Sequence, residues 1–279
     1  MDAGRTVRLS NTSVVLGLIL KSGPISVREI SEEAGLSKVT THAILQELGE
    51  RQLVEVARHD HAKRGPAPAL YAARADTAYA ISATVDAEAA VAECVDLLGV
   101  SRARARITGD DPVGNVVRAI REVERPPADT IVVGLPYALG GEAQRLVREL
   151  GRPADVRSNV ELACRLEAAA QEAKTFVYAS LDPEPAVAAV VAGRIYTGPT
   201  SLLAGSTLAE VVATTCAVFE TPLVVGELGV ASRAGAHPAA HGARALALSR
   251  LRQTVISRLP SMTPPHSGVT VGREITHGR

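Results

Sequence analysis

Residues 24–53 read PISVREISEEAGLSKVTTHAILQELGERQL and predict two short helices joined by a tight turn. Ser26 can cap the first helix, and Glu29 three residues later completes a capping box. Gly35 stands where a left-handed residue ends a helix, and Leu36 can plug the turn. Ser37 is a natural cap for the second helix. The segment is therefore bounded at both helix ends by residues suited to those positions.

The second helix has one apolar face and one outward face. Its inward residues recur at i, i+3, i+4 and i+7, which places them against a core: Thr41, Ile44, Leu45 and Leu48. By the same geometry, Val39, His42, Ala43 and Gln46 point away from that core. A helix, a glycine turn and a second exposed helix form the helix-turn-helix that reads the major groove of DNA. An ordinary helical hairpin in a bundle is the alternative.

A basic hairpin follows the two helices. The segments 53–58 and 69–73 predict strands, and the tip between them, residues 59–68, reads HDHAKRGPAP. Such a tip predicts a wing whose Arg64-Gly65 reaches the minor groove; a solvated hairpin tip is the alternative. Residues 1–75 hold ten Lys/Arg and eight Asp/Glu, about +2 by difference, so charge supports DNA binding only weakly. The predicted DNA-contacting residues are Ser37, Lys38, Val39, Thr40, His42, Gln46, Lys63, Arg64 and Gly65.

Composition predicts a cytoplasmic protein of more than one domain. The chain has 279 residues, of which 46% are apolar, and its 30 basic and 30 acidic residues balance. No apolar run is long enough to span a membrane, and no signal peptide is recognised. The three cysteines, Cys94, Cys164 and Cys216, are isolated, so we expect buried thiols and no disulfide or metal site.

The region after residue 75 predicts an α/β fold. Three strands (78–85, 89–97, 102–108), a helix (112–124), a strand (130–135) and a helix (141–150) come first. A helix (159–173), strands at 175–181, 186–192 and 194–196, a helix (207–219), a strand (223–226) and a helix at about 240–259 follow. This repeated order is typical of a ribonuclease H-like or actin-like ATPase-type domain. We therefore expect a winged helix-turn-helix at 1–75, that α/β domain at 76–259 and a poorly ordered tail at 260–279.

Four stretches resemble the ROK family, which groups repressors and sugar kinases. They are RLSN (8–11) with Val15-Leu16, GPISVREISEEAGLSKVT (23–40), RGPAPALY (64–71) followed by AYAISATVD (78–86), and the pair VRSNVELACRLEAAA (156–170) and VVAGRIYTGPTSLLAG (190–205). The resemblance implies a DNA-binding winged helix followed by a kinase-like domain. Because family regulators are usually much longer, the α/β domain is expected to be shortened.

The residues that carry kinase chemistry in that family are replaced here. The family's first-strand Asp corresponds to Thr84, and Val160 follows Asn159 where the family has its general base. After Ala204-Gly205 stand Ser206, Thr207 and Leu208 in place of a Glu and a His, and the zinc-binding cysteines are absent. The resemblance thus implies a degenerate domain that is not an enzyme and has no catalytic residues, cofactor or metal. Glu161 and Glu167 are expected to face solvent, and Gly134, Gly140 and Gly141 to be turn glycines.

The sequence therefore favours a transcriptional regulator, most simply a repressor. Its expected partners are double-stranded DNA, a second copy bound through residues 76–259, and an unidentified small effector. Two alternatives stay open: a sugar kinase with an added DNA-binding module, and a winged-helix scaffold that binds protein. Turnover of ATP would indicate the kinase rather than the regulator. DNA binding that weakens steeply with salt would indicate the regulator rather than the protein-binding scaffold.

Overall fold

The computed structural model describes residues 3–59, 68–85, 88–170, 175–180, 186–191, 194–198 and 238–259. The N-terminal part contains α1 (Ala3–Ser22), β1 (Ile25–Ser26), α2 (Val27–Ala34), α3 (Lys38–Glu50), β2 (Val54–His59) and β3 (Ala69–Ala73). The three strands form one antiparallel sheet in the order β1-β3-β2. This is a winged helix, as predicted. Only β1 was not foreseen, because two residues are too few for a strand pattern.

The remaining elements form an α/β domain. A 3₁₀ turn (Ala75–Thr77) leads to β4 (Tyr79–Val85), β5 (Ala90–Asp96), β6 (Ser101–Ile107), α4 (Pro112–Val123) and β7 (Thr130–Leu135). A second 3₁₀ segment (Tyr137–Glu142), α5 (Ala143–Leu150), β8 (Asp155–Ser158) and α6 (Asn159–Ala170) follow. The last described elements are β9 (Thr175–Ser180), β10 (Ala186–Val191), β11 (Arg194–Gly198) and α7 (Pro238–Arg258).

The main sheet confirms the predicted fold class. Its five strands lie in the order β6-β5-β4-β7-β8, and only β5 runs antiparallel to the rest. Three antiparallel strands followed by parallel strands across α-helices give the ribonuclease H-like topology. Strands β9, β10 and β11 form a second antiparallel sheet, which begins the repeat that the sequence predicted.

Helices cover both faces of the main sheet. Alternate side chains of β4 and β7, such as Ile81 and Val133, pack with α4 and α5 on one face. Ala80 and Val132 point to the other face and pack with α6 and α7. The far side of α6 packs on the second sheet through Cys164 and its neighbours. Burial raises the pKa of Cys164 to about 12, so this thiol stays protonated, as does that of buried Cys94.

Three predictions about single residues were wrong. Glu161 was expected in solvent, but its side chain is only 12% exposed and is paired with two arginines. Glu167 was expected in solvent but is 3% exposed, because α6 is covered by α7 on one side and by the second sheet on the other. Gly134 was expected in a turn but lies inside β7. A Cβ there would stand 2.5 Å from Asn159 Oδ1 and 2.7 Å from Leu162 Cδ1, so the glycine permits the close approach of α6.

Several predictions concern residues outside the described ranges. These are the helix at 207–219, the strand at 223–226, the tail at 260–279 and Cys216.

Strand β8 was not predicted, because its four half-buried residues show no clear alternation. Within the described ranges, no helix combines the length and apolar character needed to cross a lipid bilayer.

Helix α7 is packed very closely against α6. A Cβ on Gly242 would collide with the backbone carbonyl of Leu162, so only glycine allows the two helices this separation. One stripe of α7 is buried at intervals of four residues: Ala243, Ala247, Leu251 and Val255. Arg250 on the same helix lies 3.6 Å from Asp155 of β8. Helix α7 is thereby held across the sheet.

The C-terminal half of α7 also completes the core of the winged helix. Leu251, Val255 and Leu259 belong to one buried cluster with Ile19 of α1 and Leu48 of α3. Arg51 Nη1 donates to the Leu259 carbonyl at 2.9 Å, and Thr77 Oγ1 donates to the Gln52 carbonyl at 3.2 Å. The hydrophobic core is continuous across residue 75, so the division into domains at 1–75 and 76–259 stays a proposal.

We expect Leu251→Ala to lower the free energy of unfolding by about 2–5 kcal/mol, because it empties a fully buried site in this shared core. Gln253→Ala, two residues away on the exposed face of α7, should change it by less than about 0.5 kcal/mol. Urea unfolding followed by circular dichroism measures both. Amide exchange in α1 should also accelerate in Leu251→Ala; unchanged exchange there would mean that α7 does not support the winged helix.

Candidate nucleic-acid interface

The caps predicted for α2 and α3 are present. Ser26 Oγ accepts a hydrogen bond from Glu29 N at 3.3 Å, and Ser26 N donates to Glu29 Oε2 at 2.9 Å, which closes the capping box. Gly35 ends α2 with a φ of 65°, in the left-handed region. Ser37 Oγ accepts from Thr40 N at 3.1 Å and caps α3. Local sequence thus fixes both ends of the turn.

Buried hydroxyl groups hold α3 against α2. Ser31 Oγ donates to Thr41 Oγ1 at 2.9 Å, and Thr41 Oγ1 donates to the Ser37 carbonyl at 3.1 Å. The predicted inward residues of α3, Thr41, Ile44, Leu45 and Leu48, are all buried. Because both hydroxyls have partners, this polar contact sets the angle between the helices without leaving an unsatisfied group.

The opposite face of α3 is open to solvent. The residues predicted there and at its start are all exposed: Ser37, Lys38, Val39, Thr40, His42, Ala43 and Gln46. Val39 is 80% exposed, the largest value among the exposed large hydrophobic side chains of the described residues. The structure thus confirms their orientation, while their contact with DNA stays a prediction.

The sequence did not lead us to Glu50, which lies on the same face of α3. Gln46 Nε2 donates to Glu50 Oε1 at 3.0 Å, which orients the Gln46 amide along α3. The amide keeps one N–H and its carbonyl oxygen for another partner. The i, i+4 spacing of the two residues is the signal that could have identified Glu50.

Several nearby carboxylates are already paired. Glu29 belongs to the capping box, Glu32 lies 2.7 Å from Arg28, and Glu47 lies 2.8 Å from Arg51. The hydrogen bond to Glu32 raises the pKa of Arg28. Lys38, by contrast, forms no ion pair with any residue that the structure describes, so its ammonium group at the start of α3 remains available to an anion.

The wing is described only at its base. Strands β2 and β3 pair from Val54↔Ala73 to His59↔Ala69, with a shift of register between Val56 and Arg58. The tip residues predicted to contact DNA, Lys63, Arg64 and Gly65, lie outside the described residues.

The positions that the resemblance aligns with the kinase residues of the ROK family, Thr84 and Val160, carry no charge. Thr84 is buried in β4, Asn159 Nδ2 donates to the Val85 carbonyl at 2.7 Å, and Val160 packs beside Cys164. The carboxylate of Glu161 is held by Arg157 at 3.3 Å and Arg165 at 2.8 Å. Among the described residues, no three His, Cys, Asp or Glu side chains are grouped to hold a metal ion. Ser206, Thr207 and Leu208 lie outside them.

We expect Gly35→Ala to lower the free energy of unfolding by about 1 kcal/mol, because its left-handed backbone strains any residue with a Cβ. Gly49→Ala is the matched control. Gly49 is exposed within α3, its added Cβ would lie 3.9 Å from the Val54 carbonyl oxygen, and alanine should stabilise the helix by up to about 1 kcal/mol. Thermal and urea unfolding measure both. If both variants changed the free energy of unfolding in the same direction, the turn would not depend on Gly35.

Residues 10–65 match the family model described as MarR family. No curated protein matches the chain. Among solved structures, the chain is similar to a ROK family transcriptional regulator described as a homolog of the E. coli MLC protein. That alignment has 19% identity and a TM-score of 0.45, and covers 68% of this chain and 56% of the regulator. This chain therefore spans little more than half of that regulator's length.

Two ROK kinases are also similar. The ROK hexokinase from Thermus thermophilus has 17% identity and a TM-score of 0.35 over 43% of this chain and 49% of its own. The ROK family glucokinase from Streptomyces griseus has 12% identity and a TM-score of 0.36 over 43% and 47%. The N-terminal part of the chain is thus a winged helix that matches the MarR family, and the similar solved structures include ROK family proteins, the family that the sequence resembles.

Proposed function

We propose that this chain is a sequence-specific DNA-binding transcriptional regulator, acting as a repressor. One observation carries the proposal: one face of α3 is exposed along the helix, from Val39 to Gln46, while every inward residue is buried. A second helix that projects from a fixed turn in this way fits the major groove of DNA. The match of residues 10–65 to the MarR family supports the same function.

In the proposed complex, the start of α3 lies against the DNA backbone. The ammonium group of Lys38 and the hydroxyls of Ser37 and Thr40 would bind phosphate, which the positive end of the helix dipole also favours. His42 and Gln46 would face base edges, and the amide of Gln46 suits the paired donor and acceptor of adenine. Lys63, Arg64 and Gly65 would follow the minor groove beside the site.

The α/β domain is proposed to be non-catalytic. A kinase of this type needs a carboxylate base within hydrogen-bonding distance of the attacking hydroxyl, and Val160 cannot accept a proton. Thr84 likewise offers no charged ligand for a metal ion. We propose instead that this domain pairs two copies of the chain and binds an effector. Pairing would present two winged helices to a two-fold symmetric site, which lengthens the sequence that is read.

The test begins with recovery of bound fragments from random-sequence DNA by the purified protein. On the recovered duplex, the logarithm of the binding constant should fall linearly with the logarithm of salt concentration. Lys38→Ala should reduce the steepness of this line by about 0.9, the share of one phosphate contact. Lys21→Ala, which removes another exposed lysine from the end of α1, should leave the slope unchanged. Failure to recover any preferred sequence, or a salt-independent affinity, would rule out the proposed function.

Gln46→Ala should relax the preference at one base pair by about 1–3 kcal/mol and leave the salt slope unchanged, because base edges carry sequence information and phosphates do not. Glu50→Ala should weaken the same preference partly, since it removes the partner that orients the Gln46 amide. Binding to a library mutated at each position measures this preference. Gln253→Ala is the control, because it removes an exposed glutamine from α7 instead of α3. If it relaxed the base preference as much as Gln46→Ala does, Gln46 would not be the residue that contacts this base.

A further inference from the structure

Val39 is an apolar side chain with no role in the folded chain. Its 80% exposure contrasts with 40–52% for the other large exposed hydrophobic side chains of the described residues. It belongs to none of the buried clusters and is not packed against them. Valine is also a poorer helix former than alanine, because its branched side chain loses rotamer freedom. Neither packing nor helix propensity accounts for valine at this position.

The geometry of α3 places Val39 among the residues proposed to face bases. At about 100° per residue, Ala43, Gln46 and His42 lie within about 60° of Val39 around the helix axis. The buried residues Thr41, Ile44, Leu45 and Leu48 lie about 140–240° away. Val39 also stands in the first turn of α3, and the N-terminal residues of a recognition helix are those that contact base edges.

We propose that Val39 contacts the C5-methyl group of a thymine, and that the recognised half-site therefore requires a thymine at one position. This inference rests on the proposed DNA-binding function. The methyl group of thymine is the one apolar group that the four standard bases present in the major groove. The hydrocarbon side chain of valine neither donates nor accepts a hydrogen bond, so the thymine methyl is the base-edge group that it suits best.

The same geometry places the thymine relative to the base read by Gln46. Gln46 lies seven positions after Val39, which is about 10 Å along the helix axis. Base pairs follow one another at about 3.4 Å, so the two contacts fall about three steps apart when α3 follows the groove. The required thymine and the adenine preferred through Gln46 therefore belong to one half-site.

Uracil pairs with adenine as thymine does but lacks the methyl group. Replacing thymine with uracil therefore tests this contact alone. In the duplex recovered by the protein, each thymine is replaced in turn by deoxyuridine, and the dissociation constant is measured by fluorescence anisotropy. We expect the wild-type protein to lose about fourfold in affinity at one thymine of each half-site. This is the value of about 0.8 kcal/mol for one buried methyl group, at 1.4 kcal/mol per tenfold.

In Val39→Ala, replacement of that thymine should change affinity by less than about 1.5-fold, because the protein side of the contact is already removed. The variant should remain folded, since alanine favours the helix and no buried contact is lost. Val14→Ala is the matched control, because it shortens an exposed helical valine of α1 in the same way. Val14 is 46% exposed, and this variant should keep the fourfold loss of affinity on replacement of the thymine.

The outcomes separate this inference from the function on which it rests. A preferred duplex whose affinity is insensitive to uracil at every position overturns the role of Val39 and leaves DNA binding intact. The same holds if Val39→Ala retains the full loss at the required thymine. Failure to recover any preferred duplex overturns the proposed function itself.

Discussion

Helix α7 is the element on which the arrangement of the described chain depends. Its buried stripe recurs every four residues from Ala243 to Val255, and it packs against α6, two central strands and the winged helix. Removing such a stripe from water supplies most of the stabilisation that a helix gains in a protein. Gly242 brings the helix close enough to the Leu162 backbone for this packing to occur.

The shared core has a mechanical consequence for the recognition helix. Leu48 of α3 and Ile19 of α1 pack in the same buried cluster as Leu251 and Leu259. Protein cores are close-packed, so this contact opposes independent movement of the winged helix and the α/β domain. The exposed face of α3 lies on the side away from this cluster. The structure therefore combines a fixed orientation of α3 with a surface that is free to meet a partner.

The two halves of the chain use their polar residues in different ways. In the helix-turn-helix, Ser26, Ser31, Ser37 and Thr41 fix the backbone, and their hydrogen bonds are satisfied within the chain. Lys38, Val39 and His42 on the outward face of α3 take no part in these hydrogen bonds. In the α/β domain, the start of α6 is used for packing and ion pairs: Val160 is buried beside Cys164, and the Glu161 carboxylate is paired with Arg157 and Arg165.

The sequence by itself determined the features that arise within a few residues. The caps at Ser26 and Ser37, the left-handed Gly35 and the two faces of α3 all follow from spacings of three or four residues along a helix. The succession of strands and helices likewise gave the ribonuclease H-like class. Only the tertiary structure decided which surfaces become covered. Burial of Glu167, the place of Gly134 against Asn159 and the joining of residues 251–259 to the winged helix depend on elements far apart in the chain, and no local pattern encodes the distance between them.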